Sequence, residues 1–233
     1  MRHIPQPLEN ESPRIFQRWK NRHRGAKYAR LKDGDVKKAI KEALISRQKF
    51  ICCYCETRIS RGTSHIEHIE PQLGGLSAKT LDFSNMAASC IREPKKGDYI
   101  RDEESGVVSP HSTIHCGHAR GSHRVISPYD AKCESLFSYS FSGEISVNPD
   151  LTEVADKNLA QDSITYLNLN SESLIAMRKI AMLETVKMLE KGIAPADILR
   201  ELSGKLPPFY SAAKTAAQIF NSSRDTVGNT ADS

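Results

Sequence analysis

The chain has 233 residues, of which 26% are charged and 39% hydrophobic, and its formal net charge is +5 at pH 7. This composition is ordinary for a soluble globular protein. No apolar run approaches the roughly 20 residues that span a bilayer, and residues 1–5 lack the apolar core of a secretory signal. We therefore expect a cytoplasmic protein with no membrane segment, whose cysteines stay reduced and are available to bind metals.

The first 35 residues are predicted to form a basic N-terminal arm. Residues 14–32 include eight Lys or Arg and no Asp or Glu, with Trp19 and Tyr28 interleaved. Such a run suits nucleic acid, because neutralised phosphates release counterions and aromatic rings can stack on bases. A solvated helical face would have the same composition. The predicted nucleic-acid contacts in this arm are Arg18, Lys20, Arg22 and Arg24.

Hydrophobic periodicity predicts helices on both sides of a cysteine-rich core at residues 50–127. Within that core, the polar stretch 91–112 is interpreted as a long insertion loop. Alternating apolar residues around Gly143 predict a β-hairpin over 136–147. The long helix that starts at residue 171 is expected to end at Gly192. The other predicted helices cover 35–48, 159–169, 194–202 and 208–220, and the polar tail 222–233 is predicted to be disordered.

Six cysteines suggest a metal site. Cys52 and Cys55 form a C-x-x-C pair, the spacing with which one tight turn supplies two thiolates to a tetrahedral ion. A redox pair is the alternative, but no βαβ pattern surrounds it. We predict that two later cysteines close the site, that His115 is the alternative ligand, and that Cys53 and Cys133 are ordinary thiols. The predicted zinc ligands are Cys52, Cys55, Cys90 and Cys116.

Between the two halves of this zinc site lies a stretch rich in acidic and imidazole side chains. Residues 65–72 read His-Ile-Glu-His-Ile-Glu-Pro-Gln, and Asn85 follows. This layout resembles the HNH endonuclease superfamily. More narrowly, it is similar to the PtuB nuclease subunits of Septu anti-phage systems and to related retron-associated nucleases. The resemblance covers residues 36–190, and its pieces are Cys52-Cys53-Tyr54-Cys55-Glu56, His65-Ile66-Glu67-His68, Asn85, Ser89-Cys90, His115-Cys116-Gly117 and Ile126-Ser127-Pro128.

The resemblance implies an α+β fold. Its centre would be a ββα-metal core with a structural zinc clamp, flanked by N- and C-terminal helices. The nuclease domain would extend over residues 36–221, including a C-terminal helical region that docks a partner. We treat these pieces as one domain, because the core alone is too small to bury much apolar surface.

The same resemblance implies a metal-dependent endonuclease and assigns its residues. His68 matches the histidine that takes a proton from the attacking water. Glu67 matches the acidic ligand of a catalytic Mg²⁺ or Mn²⁺, although Asp is more usual there. Asn85 matches the residue that orients the catalytic loop and the histidine. The last metal ligand would follow the final zinc cysteine, and we assign it to His118, with His115 and His123 as alternatives.

The resemblance also implies partners. A PtuA-type ATPase would restrain or direct the nuclease, with or without a retron reverse transcriptase and its DNA. The nucleic-acid target could be DNA or RNA, including transfer RNA. Further phosphate contacts are predicted from Arg120, Arg124 and the pair Lys95-Lys96, although solvated loop charges would have the same pattern.

A function of a different class fits part of the pattern. A zinc-finger module that binds nucleic acid or a protein without cutting would need the cysteines, but not Glu67, His68 or Asn85. The presence of all three residues between the cysteine pairs favours the nuclease.

Overall fold

The computed structural model describes residues 1–72, 78–91 and 114–228. This part of the chain combines α-helices with two small antiparallel sheets. The strands are β1 (Ser64–His68), β2 (Met86–Cys90), β3 (Phe137–Tyr139) and β4 (Ile145–Val147). The helices are α1 (Arg14–Arg22), α2 (Gly34–Arg47), α3 (Gly117–Arg120), α4 (Val154–Tyr166), α5 (Glu172–Glu190), α6 (Pro195–Ile198) and α7 (Tyr210–Gly228).

Helix α2 forms much as the periodicity predicts. The Asp33 carboxylate caps it by accepting hydrogen bonds from the backbone N–H groups of residues 35 and 36, at 3.0 and 3.1 Å. Val36, Ile40 and Leu44 recur on one buried face, which packs against β1 and β2. The predicted helix over 35–48 is thus confirmed to within about one residue at each end.

Strands β1 and β2 pair in antiparallel register, with Ser64 opposite Cys90 and His68 opposite Met86. Every residue of β2 is buried, because this strand lies inside the protein between α2 and the cysteine-rich turn. The pairing places Cys90 at one end of the sheet and Glu67-His68 at the other.

The N-terminal segment packs onto the rest of the protein. Residues 1–8 lie outside helices and strands, but Met1 and Ile4 are buried, and the Ile4 N–H donates to the Pro128 carbonyl at 2.8 Å. In α1, Phe16 is fully buried and Trp19 is only 9% exposed, with its ring stacked on His23. The expected use of Trp19 for base stacking is therefore wrong, because its ring is taken up by the hydrophobic core.

The C-terminal region is helical, as expected, with changed boundaries. The hairpin β3–β4 and helix α5 match their predicted positions. Helix α4 starts five residues earlier than the predicted 159, and α6 is a single turn. Helix α7 continues to Gly228, so residues 222–228 of the predicted disordered tail are helical, and residues 229–233 lie outside the described residues. The Ser222 and Ser223 hydroxyls donate to the carbonyls of Gln218 and Ile219, which keeps these polar residues compatible with a helix.

Helix α7 is capped by a residue far away in the sequence. The buried Glu56 carboxylate accepts hydrogen bonds from the Ser211 N–H at 2.7 Å and from the Ser211 hydroxyl at 2.6 Å. The Glu56 carbonyl also accepts from the Phe209 N–H at 2.9 Å. A carboxylate at a helix N-terminus satisfies free N–H groups and interacts favourably with the helix dipole. Glu56 directly follows Cys55, so α7 is tied to the cysteine-rich turn.

The greater part of the predicted insertion loop at 91–112, including Lys95 and Lys96, lies outside the described residues. Among the helices that the structure describes, none combines the length and the apolar character needed to cross a membrane.

The turn between β3 and β4 provides a test of the packing. Gly143 has φ +91°, and a Cβ added there would lie 2.1 Å from the Ile175 carbonyl oxygen of α5. We expect Gly143→Ala to lower the free energy of unfolding by about 2–4 kcal/mol through backbone strain and overpacking. The matched control is Gly192→Ala, which has φ +80° but open space around the new Cβ, and should cost only about 1 kcal/mol. Equal unfolding free energies for the two variants, measured by denaturant titration, would contradict this packing.

Candidate active site

Four cysteine side chains meet in the interior beside the β1–β2 sheet. Cys52 and Cys55 come from the turn before β1, Cys90 ends β2, and Cys116 precedes α3. Their sulfur atoms all lie within 4.8 Å of one another, and all four residues are buried. The Cys55 and Cys90 sulfurs are 3.7 Å apart, close to the roughly 3.8 Å edge of a tetrahedron with 2.3 Å Zn–S bonds. The predicted set of four cysteines is confirmed as a group that could hold a metal ion, consistent with zinc.

The chemistry of these donors also fits a cation. Burial raises the pKa of the Cys116 thiol well above its ordinary value, and the neighbouring sulfurs raise it further. A divalent cation would lower this pKa again, because it stabilises the thiolates. The His115 ring lies beside the cluster, with Nδ1 3.2 Å from the Cys116 sulfur and 3.5 Å from the Cys90 sulfur. His115 can therefore donate an N–H to a thiolate, and it lies outside the four-residue group.

A second group of polar side chains surrounds the end of β1. Successive residues of a strand point to opposite faces. Glu67 accordingly points towards α3 and the cysteine-rich turn, whereas His68 points towards residues 72 and 80. The side chains of these two adjacent residues thus lie in two different environments.

The Glu67 carboxylate is paired with a buried arginine. Glu67 is 8% exposed, and its Oε1 accepts from the Arg120 guanidinium at 2.7 Å and from the Tyr54 hydroxyl at 3.2 Å. Burial by itself opposes ionisation of Glu67, but a hydrogen bond from His65 and the charge of Arg120 hold the pKa of this carboxyl below its ordinary value. Glu67 is therefore an anion at neutral pH.

Arg120 departs from its expected role. Its guanidinium also donates to the backbone carbonyls of His68, Ile69 and His123, at 3.0, 2.6 and 3.0 Å, and the residue is only 2% exposed. A contact with phosphate requires a guanidinium that substrate can reach. We therefore correct the expected phosphate contact: Arg120 positions Glu67 and the end of β1 from the interior.

The His68 ring is held in one tautomer. Its Nε2 lies 3.0 Å from the Thr80 carbonyl oxygen, which can only accept, so Nε2 carries the proton. Nδ1 is then the basic atom, and it accepts a hydrogen bond from the Gln72 amide at 3.0 Å. Burial lowers the pKa of His68 below its ordinary value, so the ring is neutral at pH 7. The Tyr28 ring contacts it edge-on, at 4.6 Å between centroids.

Asn85 joins the segments that shape this pocket. Its side-chain oxygen accepts from the Glu70 N–H at 2.7 Å, and its amide donates to the Glu70 carbonyl at 3.1 Å and to the Lys79 carbonyl at 3.2 Å. Residues 78–81 form the 3-10 turn that presents the Thr80 carbonyl to His68. Asn85 therefore holds the acceptor that orients the His68 ring.

Two further histidines lie on the Glu67 side. His65 Nε2 is 3.2 Å from Glu67 Oε2, and the ring centroids of His65 and His118 are 4.3 Å apart. Gly117 starts α3 so close to these side chains that an added Cβ would lie 2.3 Å from Glu67 Oε2 and 2.6 Å from His65 Nε2. His118 thus lies beside His65, whose ring contacts Glu67.

Residues 14–32 of the basic N-terminal arm, called the basic segment below, adjoin the side of the site where His68 lies. Tyr28 lies within this segment and contacts the His68 ring, and the Glu9 carboxylate accepts from the Phe83 N–H at 2.8 Å. Arg18 and Arg22 are exposed one turn apart on α1, and Arg24 is exposed just after it. Lys20 is half-buried and forms an ion pair with Glu9. Three of the four predicted contact residues in this segment are therefore open to solvent.

Sequence reasoning missed several residues of the site. Gln72 and Tyr54 bond His68 and Glu67 directly, but neither residue type carries a recognisable signal in an isolated motif. The position of His65 could have been predicted. It precedes Glu67 by two residues, and residues two apart in a strand share a face.

A comparison with curated proteins gives an independent indication. The chain is 32% identical over 148 residues to a Vibrio cholerae (serotype O1 biovar El Tor) protein named "Retron Vc95 putative HNH endonuclease". The match covers 62% of this chain and 63% of that protein. No protein-family model matches the chain. The similarity supports the relationship to the HNH endonuclease superfamily that the motifs indicated.

The four-cysteine cluster makes a direct prediction. Cys116→Ser should reduce bound zinc from about one ion per chain to near zero and lower the thermal stability, because the ion ties β2 and α3 to the turn at Cys52–Cys55. Cys133→Ser is the matched control, since Cys133 is buried in a separate 3-10 turn and should retain zinc. Elemental analysis and thermal melting measure both effects. Equal zinc in the two variants would contradict the assignment.

Proposed function

We propose that this relative of HNH endonucleases is a metal-dependent nuclease that hydrolyses phosphodiester bonds, with His68 as its general base. The observation that carries the proposal is the state of the His68 ring: it is neutral, oriented through Nε2 by a backbone carbonyl, and basic at Nδ1. Taking a proton from water requires this combination of tautomer and charge. The HNH relative independently supports the same reaction class.

Substrate binding would complete the arrangement around His68. In the unbound protein the Gln72 amide donates to Nδ1, and we propose that an attacking water replaces it there. Tyr28, from the basic segment, contacts the His68 ring, and the arginines of this segment are exposed. We propose that these cations hold a backbone phosphate at the His68 pocket. Both DNA and RNA offer such phosphates.

Glu67 is the proposed ligand of a catalytic Mg²⁺ or Mn²⁺, together with His118. A carboxylate oxygen is the donor that both ions prefer, and Glu67 remains ionised although it is buried. A cation held there would supply charge stabilisation for the transition state and for the leaving oxygen. Arg120 and Tyr54 fix the carboxylate through Oε1.

The structural elements map onto the proposed ββα-metal unit. Strands β1 and β2 would be its two strands, and the single turn α3 would be its helix. Zinc on the four cysteines would lock the end of β2 to the start of α3, since Cys90 and Cys116 occupy these positions. The buried free thiols suit a reducing cytoplasm.

We further propose that the chain acts as the effector subunit of an anti-phage complex with a PtuA-type ATPase, with or without a retron reverse transcriptase and its DNA. Its C-terminal helices expose apolar side chains, among them Ile180 at 59%, Leu183 at 42% and Ile219 at 40%. A cleft of about 420 Å³ lies between α5, α7 and the β3–β4 hairpin, with Phe141 and Phe220 in its lining. Exposed apolar patches of this kind are typical of protein interfaces.

One observation favours a non-catalytic zinc-dependent binding module as the second candidate. Both ring nitrogens of His68 are hydrogen-bonded within the chain, and Glu67 forms an ion pair with Arg120. These contacts would also suit residues that only stabilise the fold. Such a module would bind nucleic acid equally well with His68 replaced and with the divalent cation removed.

Nuclease assays on DNA and on total RNA, with the chain purified together with the proposed PtuA-type ATPase, test the main proposal. His68→Ala should lower the cleavage rate by about 100-fold or more because the base is lost, and EDTA should abolish cleavage. His3→Ala, in the N-terminal segment, is the control and should cut normally. Circular dichroism establishes that the variants are folded. Full cleavage by His68→Ala would remove the proposed role of His68.

The basic segment provides a binding test. Replacing Arg18, Arg22 and Arg24 together by Gln should weaken nucleic-acid binding and reduce the slope of log K against log salt by about 2–3, because roughly three phosphate contacts are lost. A triple Gln variant of the exposed residues Lys157, Lys179 and Lys191 loses the same charge elsewhere and should retain the original slope. Equal slopes for the two triple variants in fluorescence anisotropy would locate the nucleic-acid interface elsewhere.

A further inference from the structure

We infer that His65 is a direct ligand of the divalent cation held by Glu67. This inference rests on the proposed metal-dependent function and names a further residue of the same site. It concerns a histidine whose position, rather than its motif, suggests the role.

The side chains of His65 and Glu67 lie side by side. His65 and Glu67 are two residues apart on β1 and point to the same face. Their nearest side-chain atoms, His65 Nε2 and Glu67 Oε2, are 3.2 Å apart. This distance suits a hydrogen bond, and it also approximates the roughly 3 Å between adjacent ligand atoms of one ion with bonds of about 2.1 Å. Little rearrangement of the two side chains would be needed to replace this hydrogen bond by joint coordination of an ion.

The two oxygens of the Glu67 carboxylate have different partners. Oε1 already accepts from the Arg120 guanidinium and the Tyr54 hydroxyl, and removing it from Arg120 would leave a buried guanidinium without its carboxylate. Oε2 is therefore the oxygen available to a cation. His65 Nε2 is the partner that the structure shows at this oxygen.

Helix α3 starts with a residue that has no side chain, Gly117. A methyl group at Gly117 would collide with both donor atoms, at 2.3 Å from Glu67 Oε2 and 2.6 Å from His65 Nε2. Residue 117 can supply no ligand, and its lack of a Cβ makes room for the His65 ring. Imidazole thus occupies the space between α3 and Glu67.

The chemistry of this pair predicts which ion binds best. The Glu67 charge is already balanced by Arg120, so the proposed site offers one carboxylate oxygen together with the imidazole nitrogens of His65 and His118. A nitrogen donor favours first-row transition ions, whereas Mg²⁺ prefers an all-oxygen shell. We therefore expect Mn²⁺ to bind more tightly than Mg²⁺, with water completing its coordination.

The test is Mn²⁺ binding by the zinc-loaded full chain, followed by electron paramagnetic resonance without substrate. His65→Ala should weaken Mn²⁺ binding by at least about tenfold. Losing a residue that only contacts a metal ligand already weakens metal binding by about 10–100-fold. The control His3→Ala removes a histidine from the N-terminal segment and should bind as the wild type does. His65→Gln provides a second variant, because its amide can keep the hydrogen bond to Glu67 while the imidazole nitrogen is lost.

A spectroscopic readout separates ligation from packing. His118→Ala should still show the ¹⁴N coupling of an imidazole bound to Mn²⁺, and this coupling should vanish when His65→Gln is added. The inference is overturned if the ¹⁴N coupling is lost in His118→Ala alone, if His65 variants bind Mn²⁺ with unchanged affinity, or if the wild type binds no Mn²⁺ beyond the zinc site. Because no cleavage is measured, these results are independent of the His68 assay, whose failure would remove the nuclease proposal alone.

Discussion

The ion pair between Arg120 and Glu67 is the contact on which the site depends. A buried charge that loses its partner costs about 3–5 kcal/mol, so neither residue can be placed inside without the other. The same guanidinium binds the carbonyls of His68 and Ile69, where β1 ends and regular pairing stops. One side chain of α3 thus fixes the direction of the Glu67 carboxylate and the path of the chain that carries His68.

The cysteine cluster determines where that arginine can be. Cys116 lies four residues before Arg120, and Cys90 closes the strand that pairs with β1. A helix of four residues has too few internal hydrogen bonds to be stable by itself, so α3 depends on its anchors. Ordering of the four sulfurs and ordering of the Glu67 carboxylate are therefore coupled through a single helical turn, although the two groups have different chemistry.

What could be predicted from the sequence is what depends on local spacing. The C-x-x-C pair, the helix at 34–47 and the hairpin around Gly143 follow from patterns within a few residues, and the structure contains each of them. The opposite directions of Glu67 and His68 follow from strand geometry. By contrast, the burial of Arg120 depends on an acceptor 53 residues away. Trp19 likewise has the composition of a nucleic-acid contact and is buried only because the N-terminal segment folds back onto the core.

The cap that Glu56 provides to α7 has a consequence for how this protein can be divided. The carboxylate is buried next to Cys55 and obtains two of its hydrogen bonds from Ser211. A fragment that ends after α5 would lack both donors and leave an under-satisfied anion against the cysteine-rich turn. The C-terminal helix is therefore part of the folding unit, and the surface that it offers to other molecules cannot be transplanted or removed without disturbing the sulfur cluster. A load applied to α7 would reach the turn that holds Cys55 through the Glu56 carboxylate and the Glu56 carbonyl.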